Sequence, residues 1–202
     1  MSEPLVSSSL VLASASPRRR ELLGQLVVKA FDVKPQDIDE TPLKGERPSV
    51  YVRRVVHEKA LSALNNHPNS LVLSADTIVV CGRRILQKAR DREEARKQIT
   101  LLSGRRHQVL TGVAVARKKE DGDFEVRYRL ATTVVAFKRL TELEMDAFLE
   151  SEEWCGVAVY RIQGMMGAYL KWLQGQPSTI LGLPLLETRH LLQSMDSKLL
   201  RF

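Results

Sequence analysis

Residues 10–26 read LVLASASPRRRELLGQL, and this stretch predicts a strand, a short loop and a helix in succession. The apolar run over residues 10–14 is typical of a buried strand. Pro17 suits the first turn of a helix, where its missing N–H is not needed, and three leucines follow at helical spacing. Ser16 is a candidate N-cap, so we expect the backbone N–H groups of this helix start to point towards whatever lies beyond the strand's carboxyl end.

Strand and helix patterns alternate towards both ends of the chain, and a hairpin pattern around EDGD lies between them. We therefore expect an α/β fold with a mixed β-sheet flanked by helices and two lobes around a cleft. No stretch resembles a linker, so one domain should cover residues 1–202, with an inserted hairpin lobe near residues 104–140. The predicted strands cover residues 10–14, 28–33, 70–75 and 77–80 with an interruption at Asp76, 107–119, 124–137, 166–173 and 178–181. The predicted helices begin near Pro17, Pro48, Arg90, Thr141 and Pro184, and Thr141 with Glu144 three residues on predicts a capping box.

The 202 residues carry a formal net charge of +7, and 44% of them are hydrophobic, which is enough apolar material for an ordinary core. The positive charge favours a polyanionic partner, whether nucleic acid, nucleotide or acidic membrane. Aromatic residues make up only 5% of the chain, which argues against a base-stacking platform for single-stranded nucleic acid.

Cys81 and Cys155 lie far apart, so they predict neither a disulfide framework nor a zinc site and fit a reducing cytoplasm. No positive charge precedes the short apolar run near the N-terminus, and no stretch approaches the length of a membrane span. We expect a soluble cytoplasmic protein with no membrane partner.

The segment SASPRR gathers two hydroxyls, Ser14 and Ser16, and two guanidinium groups, Arg18 and Arg19, at the start of a predicted helix. Arginine forks and a helix N-terminus both bind phosphate, so a phosphate site has a physical mechanism here. An N-cap followed by solvated arginines is an equally supported interpretation.

Two acids are candidates for chemistry. Asp76 is predicted at the end of an apolar strand, where α/β sheets bind their ligands, and it can hold a metal or accept a proton from water. A helix-cap or turn aspartate is the less favoured alternative. Glu40, with Asp37 and Asp39, offers carboxylates to Mg²⁺, although a solvated charge run is the commoner fate of such a loop. Lys59, Lys88 and Gln163 are weak signals by themselves, because exposed lysines and turn glutamines are common.

Seven segments follow one another in order along residues 10–192: LASASPRRRELL, DIDETP, EKA, SADTIV, SGxxHxVxTGV, IQG and GLPLxE. Together they resemble the Maf family of nucleoside triphosphate pyrophosphatases. Within that family, an arginine at position 18, a threonine at position 77 and a glutamine at position 163 resemble the branch that acts on dTTP and UTP.

The resemblance implies a divalent metal, Mg²⁺ or Mn²⁺, and hydrolysis between the α- and β-phosphates to give a monophosphate and pyrophosphate. It implies that Asp76 accepts the proton of the attacking water or holds the metal, and that Glu40 assists at the metal. The remaining implied roles are polyphosphate binding for Lys59, Lys88, Arg19, Ser14 and Ser16, and choice of the base for Arg18, Thr77 and Gln163.

The chain departs from the family pattern where the family reads KAGAYGIQG and this sequence reads GVAVYRIQG. Gly156 removes a lysine, and Arg161 replaces a glycine and can supply a cation in its stead. Ala89 also stands where the family has a proline. The loss of the lysine leaves open a second interpretation, a nucleotide- or nucleic-acid-binding regulatory protein with weakened catalysis. For the enzyme we expect a nucleoside triphosphate substrate and no stable nucleic acid partner, and a homodimer is compatible with the sequence.

Overall fold

One mixed sheet of seven strands lies within residues 9–27 and 30–200, which are the residues that the computed structural model describes. The strands are β1 (Leu10–Leu12), β2 (Phe31–Val33), β3 (Leu71–Cys81), β4 (Arg84–Leu86), β5 (Arg106–Lys118), β6 (Phe124–Phe137) and β7 (Leu170–Gln174). Their order is β2-β1-β3-β5-β6-β7, with β4 paired to β3. β1 runs parallel to β2 and β3, and all other pairs are antiparallel. The mixed α/β class predicted from the sequence is confirmed.

Six α-helices flank this sheet in the described part of the chain. They are α1 (Pro17–Leu26), α2 (Pro48–Asn66), α3 (Arg92–Leu102), α4 (Glu142–Glu150), α5 (Pro177–Ile180) and α6 (Leu185–Met195). The predicted caps are present: the Ser16 side chain accepts a hydrogen bond from the Arg19 N–H, and Thr141 and Glu144 form a capping box. Among these helices none is long and apolar enough to cross a membrane.

Among the described helices, α2 alone packs against one face of the sheet, where its valines meet Ile78, Val80 and Leu110. The contact depends on Gly112 in β5, because a Cβ atom at that position would lie 2.5 Å from Val52 Cγ1. This close approach brings the middle of α2 directly over β3 and β5 and positions its buried Lys59 beside β3.

The other face of the sheet is covered by the remaining long helices. Helices α1 and α6 bury Leu23 and Leu192 against Leu73 and its neighbours. Towards the other end of the same face, α3 and α4 contribute Ile99 and Phe148 to a second apolar cluster that includes residues of β5 and β6. The layered arrangement leaves the ends and edges of the strands as the places where polar groups can collect.

The central strand β3 has an edge that is open in its middle. Leu71–Leu73 pair with β1, and residues 79–81 pair with β4, while residues 74–78 have a strand partner only on the β5 side. The gap arises because β1 ends at Leu12 and its chain turns away into the loop before α1. A cleft can therefore form beside residues 74–78.

Several predicted elements are wrong in detail. Asp76 lies inside one continuous strand, β3, and not at its end. Residues 178–181 form helix α5 and its C-cap, because Pro177 lacks the donor a strand needs and suits a helix start. Strand β4 was not predicted, and the predicted strand at 166–173 begins as a 3₁₀ turn, Met165–Tyr169. Residues 28 and 29 of another predicted strand lie outside the described residues. Both hairpin strands belong to the main sheet, and the two-lobe division stays a prediction.

Candidate active site

A cavity of about 1040 Å³ opens along the unpaired edge of β3. Its size is at the upper end of the range for small-molecule sites. Its wall is built from the loop after β1, the start of α1, the loop before α2 and α2 itself, the middle of β3, the segment after β4, the loop after α4, and the end of α5 with the turn that follows it. All ten residues predicted from the sequence line it: Ser14, Ser16, Arg18, Arg19, Glu40, Lys59, Asp76, Thr77, Lys88 and Gln163.

The cavity reaches both faces of β3, because consecutive residues of a strand point in opposite directions. Asp76 faces α2, where Lys59 donates to it. Thr77 faces α1, where the Arg19 guanidinium donates to it. The edge of a single strand therefore presents an acid and a hydroxyl to the same space, each with its own cation.

Arg19 is held by three acceptors from three separate parts of the chain. Its Nε donates to Gly182 O at 2.8 Å, Nη1 to Ser14 Oγ at 3.0 Å and Nη2 to Thr77 Oγ1 at 3.2 Å. Desolvation lowers the pKa of this guanidinium, and the nearby carboxylates of Asp76 and Glu40 oppose that shift. An arginine remains charged under any ordinary condition, so Arg19 is a fixed cation at the cavity wall.

Lys59 joins the two candidate acids. Its Nζ lies 2.8 Å from Asp76 Oδ1 and 2.9 Å from Glu40 Oε1. The lysine and Asp76 are buried, whereas the Glu40 side chain is 45% exposed. Tyr51 supports the Glu40 loop by donating from its hydroxyl to Glu40 O, and burial raises the pKa of Tyr51 to about 12, so this donor stays protonated. The interpretation of Lys59 as an exposed lysine is wrong.

Four polar side chains of the cavity make no hydrogen bond or ion pair with any residue that the structure describes: Arg18, Glu21, Lys88 and Gln163. Arg161 also lines the cavity, and its only polar contact in the described chain is a donation to Cys155 O at 3.3 Å. Lys88, Arg161 and Gln163 are exposed and Arg18 is half-buried, so these side chains are available to a ligand. Lys59 and three of the N–H groups of Arg19 are already used by protein partners.

The carboxylates of Asp76 and Glu40 are the candidate metal ligands of the cavity. No group of three or more histidine, cysteine, aspartate or glutamate side chains that could hold a metal occurs within residues 9–27 and 30–200. Asp37 and Asp39 do not line the cavity, and the Asp39 carboxylate accepts the Thr41 N–H. Asp76 Oδ2 and Glu40 Oε2 have no hydrogen-bond donor among the described residues, so each acid keeps one oxygen free. This pair fits Mg²⁺, which commonly takes one or two carboxylates and completes its shell with phosphate oxygens and water.

The loop over residues 151–164 forms the wall around Gln163. The Glu153 carboxylate accepts the Met165 N–H at 2.8 Å and lies so close to Gly164 that a Cβ there would stand 1.9 Å from Glu153 Oε2. Tyr160 anchors the same loop to β5, because its hydroxyl pairs with His107 Nε2 at 2.7 Å in a buried position. Val159, between these anchors, has a φ of 66°, which is strained for a β-branched residue.

The sequence of this chain is similar to those of known proteins. A family model described as "Maf-like protein" matches residues 9–195. This chain belongs to the Maf-like protein family. A "dTTP/UTP pyrophosphatase" of Zymomonas mobilis is 48% identical to this Maf-like protein over 94% of its length and 92% of the relative. A "Nucleoside triphosphate pyrophosphatase" of Anaplasma phagocytophilum is 45% identical over 91% of this chain and 94% of the relative.

Among solved structures, a dITP/XTP pyrophosphatase from Mycobacterium abscessus aligns with 65% of this Maf-like protein and 75% of that chain, at 12% identity and a TM-score of 0.39. The Ham1 protein of Staphylococcus aureus aligns at 16% identity and a TM-score of 0.38, over 64% and 72% of the two chains. At these TM-scores the likeness does not bear on the site.

Sequence reasoning missed several residues that build the site of this Maf-like protein. Three of them, His107, Thr111 and Gly182, stand inside the motifs SGxxHxVxTGV and GLPLxE, but the pattern gave them no role. Their partners are far away in the chain: Arg19 and Gly182, for example, are 163 positions apart. No local periodicity carries a contact over that distance.

Proposed function

We propose that this protein hydrolyses nucleoside triphosphates, with dTTP and UTP preferred, to the monophosphate and pyrophosphate. The observation that carries the proposal is the cavity in which one buried acid, Asp76, shares an edge of β3 with two fixed cations, Lys59 and Arg19. The names of the curated relatives agree with this chemistry.

The polyphosphate would bind where the positive groups converge. Pro17 has no N–H, and those of Ser16, Arg19 and Arg20 already have acceptors, so the Arg18 N–H is the donor that the start of α1 offers to a phosphate. The Lys88 side chain lines the same cavity and can contact phosphate oxygens directly. Arg19 and Lys59 are held by protein acceptors, so they would stabilise charge without rearranging as it builds on the leaving pyrophosphate. The hydroxyls of Ser14 and Ser16 serve Arg19 and the cap of α1.

Asp76 would act on the attacking water. In this step the water oxygen bonds to the α-phosphorus, the bond from that phosphorus to the bridging oxygen breaks, and pyrophosphate leaves. Asp76 Oδ1 is held by Lys59, and Oδ2 has no donor among the described residues. Oδ2 therefore has one of two roles: it accepts the proton of the water directly, or it holds the metal and the proton leaves through solvent. The ion pair with Lys59 fixes the orientation of this carboxylate.

Mg²⁺ or Mn²⁺ would be held by Asp76 and Glu40 together with phosphate oxygens. When bound, such an ion polarises the phosphoryl group and lowers the pKa of coordinated water. The free oxygen on each carboxylate supports this assignment, and the partial exposure of Glu40 leaves room for water in the coordination shell.

Base choice would depend on the wall formed by residues 156–163. Gln163 can donate and accept hydrogen bonds at once, which matches the imide edge of thymine or uracil. Arg18 lies on the same cavity and is a second candidate for base contact. Gly156 leaves no cation at the position of the family lysine, so Arg161 is the positive group of this wall.

The test is pyrophosphate release from dTTP, UTP, CTP, dGTP and 7-methyl-GTP with Mg²⁺ or Mn²⁺. We expect dTTP and UTP to be hydrolysed fastest, and Asp76→Asn to lower kcat/KM by about 10²- to 10⁴-fold. Asp32→Asn is the matched control, because Asp32 is exposed on β2 and does not line the cavity. Equal activity of Asp76→Asn and wild type would remove Asp76 from the mechanism.

Failure of the folded wild-type protein to hydrolyse any of these nucleotides would favour the alternative, a nucleotide- or nucleic-acid-binding regulator with weakened catalysis. A strongly salt-dependent affinity for DNA or RNA would then identify the nucleic-acid form of that alternative. A homodimer stays a prediction, which light scattering of the purified protein would check.

A further inference from the structure

Thr111 is a buried residue of β5 that does not line the cavity. It stands directly opposite Thr77 in the antiparallel register of β3 and β5. Its Oγ1 lies 2.9 Å from Thr77 Oγ1 and 2.7 Å from Thr179 O, at the end of α5. It therefore lies between a cavity residue and the segment that carries Gly182.

The direction of each hydrogen bond follows from the donors available. A threonine hydroxyl has one proton, and a carbonyl oxygen can only accept, so the Thr111 proton is given to Thr179 O. Thr111 can then only accept from Thr77, so Thr77 must donate to Thr111. A guanidinium only donates, so Thr77 accepts from Arg19 Nη2. The result is a directed chain from Arg19 through Thr77 and Thr111 to Thr179 O.

This chain has a consequence for Thr77. Its only proton is committed to Thr111, so its hydroxyl cannot donate to a nucleotide base. On the cavity side, Thr77 Oγ1 accepts a hydrogen bond from Arg19. The lone pairs of Thr77 Oγ1 keep pointing towards Arg19 only while the Thr77 proton is donated to Thr111. The arrangement disfavours the expectation that Thr77 chooses the base.

Arg19 depends on this acceptor for its orientation. Three of its five N–H groups are used by Gly182 O, Ser14 Oγ and Thr77 Oγ1, one on each nitrogen. One N–H on each of the two terminal nitrogens is left for a ligand. Three bonds to one planar group fix the plane of the fork, and with it the direction of the two remaining donors.

We propose that Thr111 is a positioning residue of the pyrophosphatase, which acts through Thr77 to aim the free N–H groups of Arg19 at the phosphates. Thr77 belongs to the same positioning chain. The assignment rests on the proposed function for its catalytic meaning, but the orientation of Arg19 towards phosphate can be measured without turnover.

The experiment compares Thr111→Val, which removes the hydroxyl and keeps the shape, with Thr111→Ser, which restores the hydroxyl. Thr133→Val is the matched control: Thr133 is equally buried, and its hydroxyl donates to Gln176 O at 2.9 Å, but it has no contact with Thr77 or Arg19. Thr133→Val loses one buried hydroxyl-to-carbonyl bond, and Thr111→Val loses such a bond together with the bond from Thr77, so thermal stability should fall in both and further in Thr111→Val.

We expect Thr111→Val to lower kcat/KM for dTTP and UTP by about 10- to 100-fold with their ratio to CTP unchanged, because base choice is not involved. Thr111→Ser should stay within about threefold of wild type, and Thr133→Val should match wild type. In an Arg19→Lys background, Thr111→Val should add little, because a lysine cannot form the fork that Thr77 orients. Loss of activity in Thr133→Val equal to that in Thr111→Val, or no recovery in Thr111→Ser, would overturn the proposal.

Calorimetric binding of inorganic pyrophosphate separates this inference from the proposed function. Weaker pyrophosphate binding in Thr111→Val than in Thr111→Ser and Thr133→Val supports the positioning role, even if wild type hydrolyses no nucleotide. Equal binding by all three variants and wild type shows that Thr111 does not aim Arg19 at phosphate, whatever the activity.

Discussion

Replacing Lys59 with methionine tests the electrostatic centre of the site. The Lys59 side chain is 9% exposed and lies between Asp76, whose side chain is 10% exposed, and Glu40. Methionine keeps much of the apolar stem but removes the charge, so the buried Asp76 loses its cation. Removing one partner of a buried ion pair costs about 3–5 kcal/mol of the free energy of unfolding. Glu40 can rehydrate because it is partly exposed, so we expect a loss near 3 kcal/mol.

Urea unfolding followed by circular dichroism measures this loss, and 3 kcal/mol corresponds to a midpoint shift on the order of 1 M. Lys97→Met is the matched control. Lys97 Nζ lies 2.7 Å from Glu93 Oε1 with both side chains more than 70% exposed, so its removal should cause no measurable change. The pairs have similar lengths, and the comparison therefore isolates burial.

A second substitution tests the cause of the loss. Adding Asp76→Asn to Lys59→Met removes the uncompensated charge, and it should recover part of the lost stability, with a coupling of about 1–3 kcal/mol. The reasoning is refuted if Lys59→Met is no more destabilising than Lys97→Met, or if Asp76→Asn lowers the stability of the Lys59→Met protein further.

Three further predictions concern the loop wall and its anchor His107, and a fourth concerns Gly24 in α1. Burial lowers the pKa of His107 from 6.5 to about 4 in the folded protein. As pH falls from 6.5 to 4, the unfolded chain takes up the His107 proton before the folded protein does. The free energy of unfolding should therefore fall, by about 2 kcal/mol at the middle of that range. His107→Gln should remove that part of the pH dependence in urea titrations at several pH values. Gly164→Ala displaces Glu153 and with it the loop that carries Gln163, so it should raise KM for dTTP severalfold. Gly24 has open space around it, and Gly24→Ala should stabilise α1 by about 0.5–1 kcal/mol. Arg161→Gly should raise KM for dTTP by about tenfold and Arg161→Lys by less, because the wall loses its cation.

The sequence predicts the elements of this fold well where a local rule decides them. The strand, loop and helix over residues 10–26 follow from hydropathy, Pro17 and the Ser16 cap, and the structure has all three. The prediction failed at residues 178–181, where the four residues STIL are too few to distinguish a strand from a helical turn.

The site was predictable as a set of residue types but not as a geometry. All ten predicted residues line one cavity, yet the bond of Lys59 to two acids depends on how α2 packs over Gly112. The acids Asp37 and Asp39 have the same local pattern as Glu40 and lie outside the cavity, because the loop points only Glu40 towards Lys59. The local sequence around Thr111 does not predict its role, because that role depends on a strand register and on a carbonyl 68 positions away.

The most direct measurement of the central claim is identification of the products of dTTP by ³¹P NMR, for wild type and Asp76→Asn. The account predicts equal amounts of thymidine monophosphate and pyrophosphate from wild type, and almost no product from a folded Asp76→Asn protein. Formation of the diphosphate and inorganic phosphate, or undiminished turnover by Asp76→Asn, would contradict it.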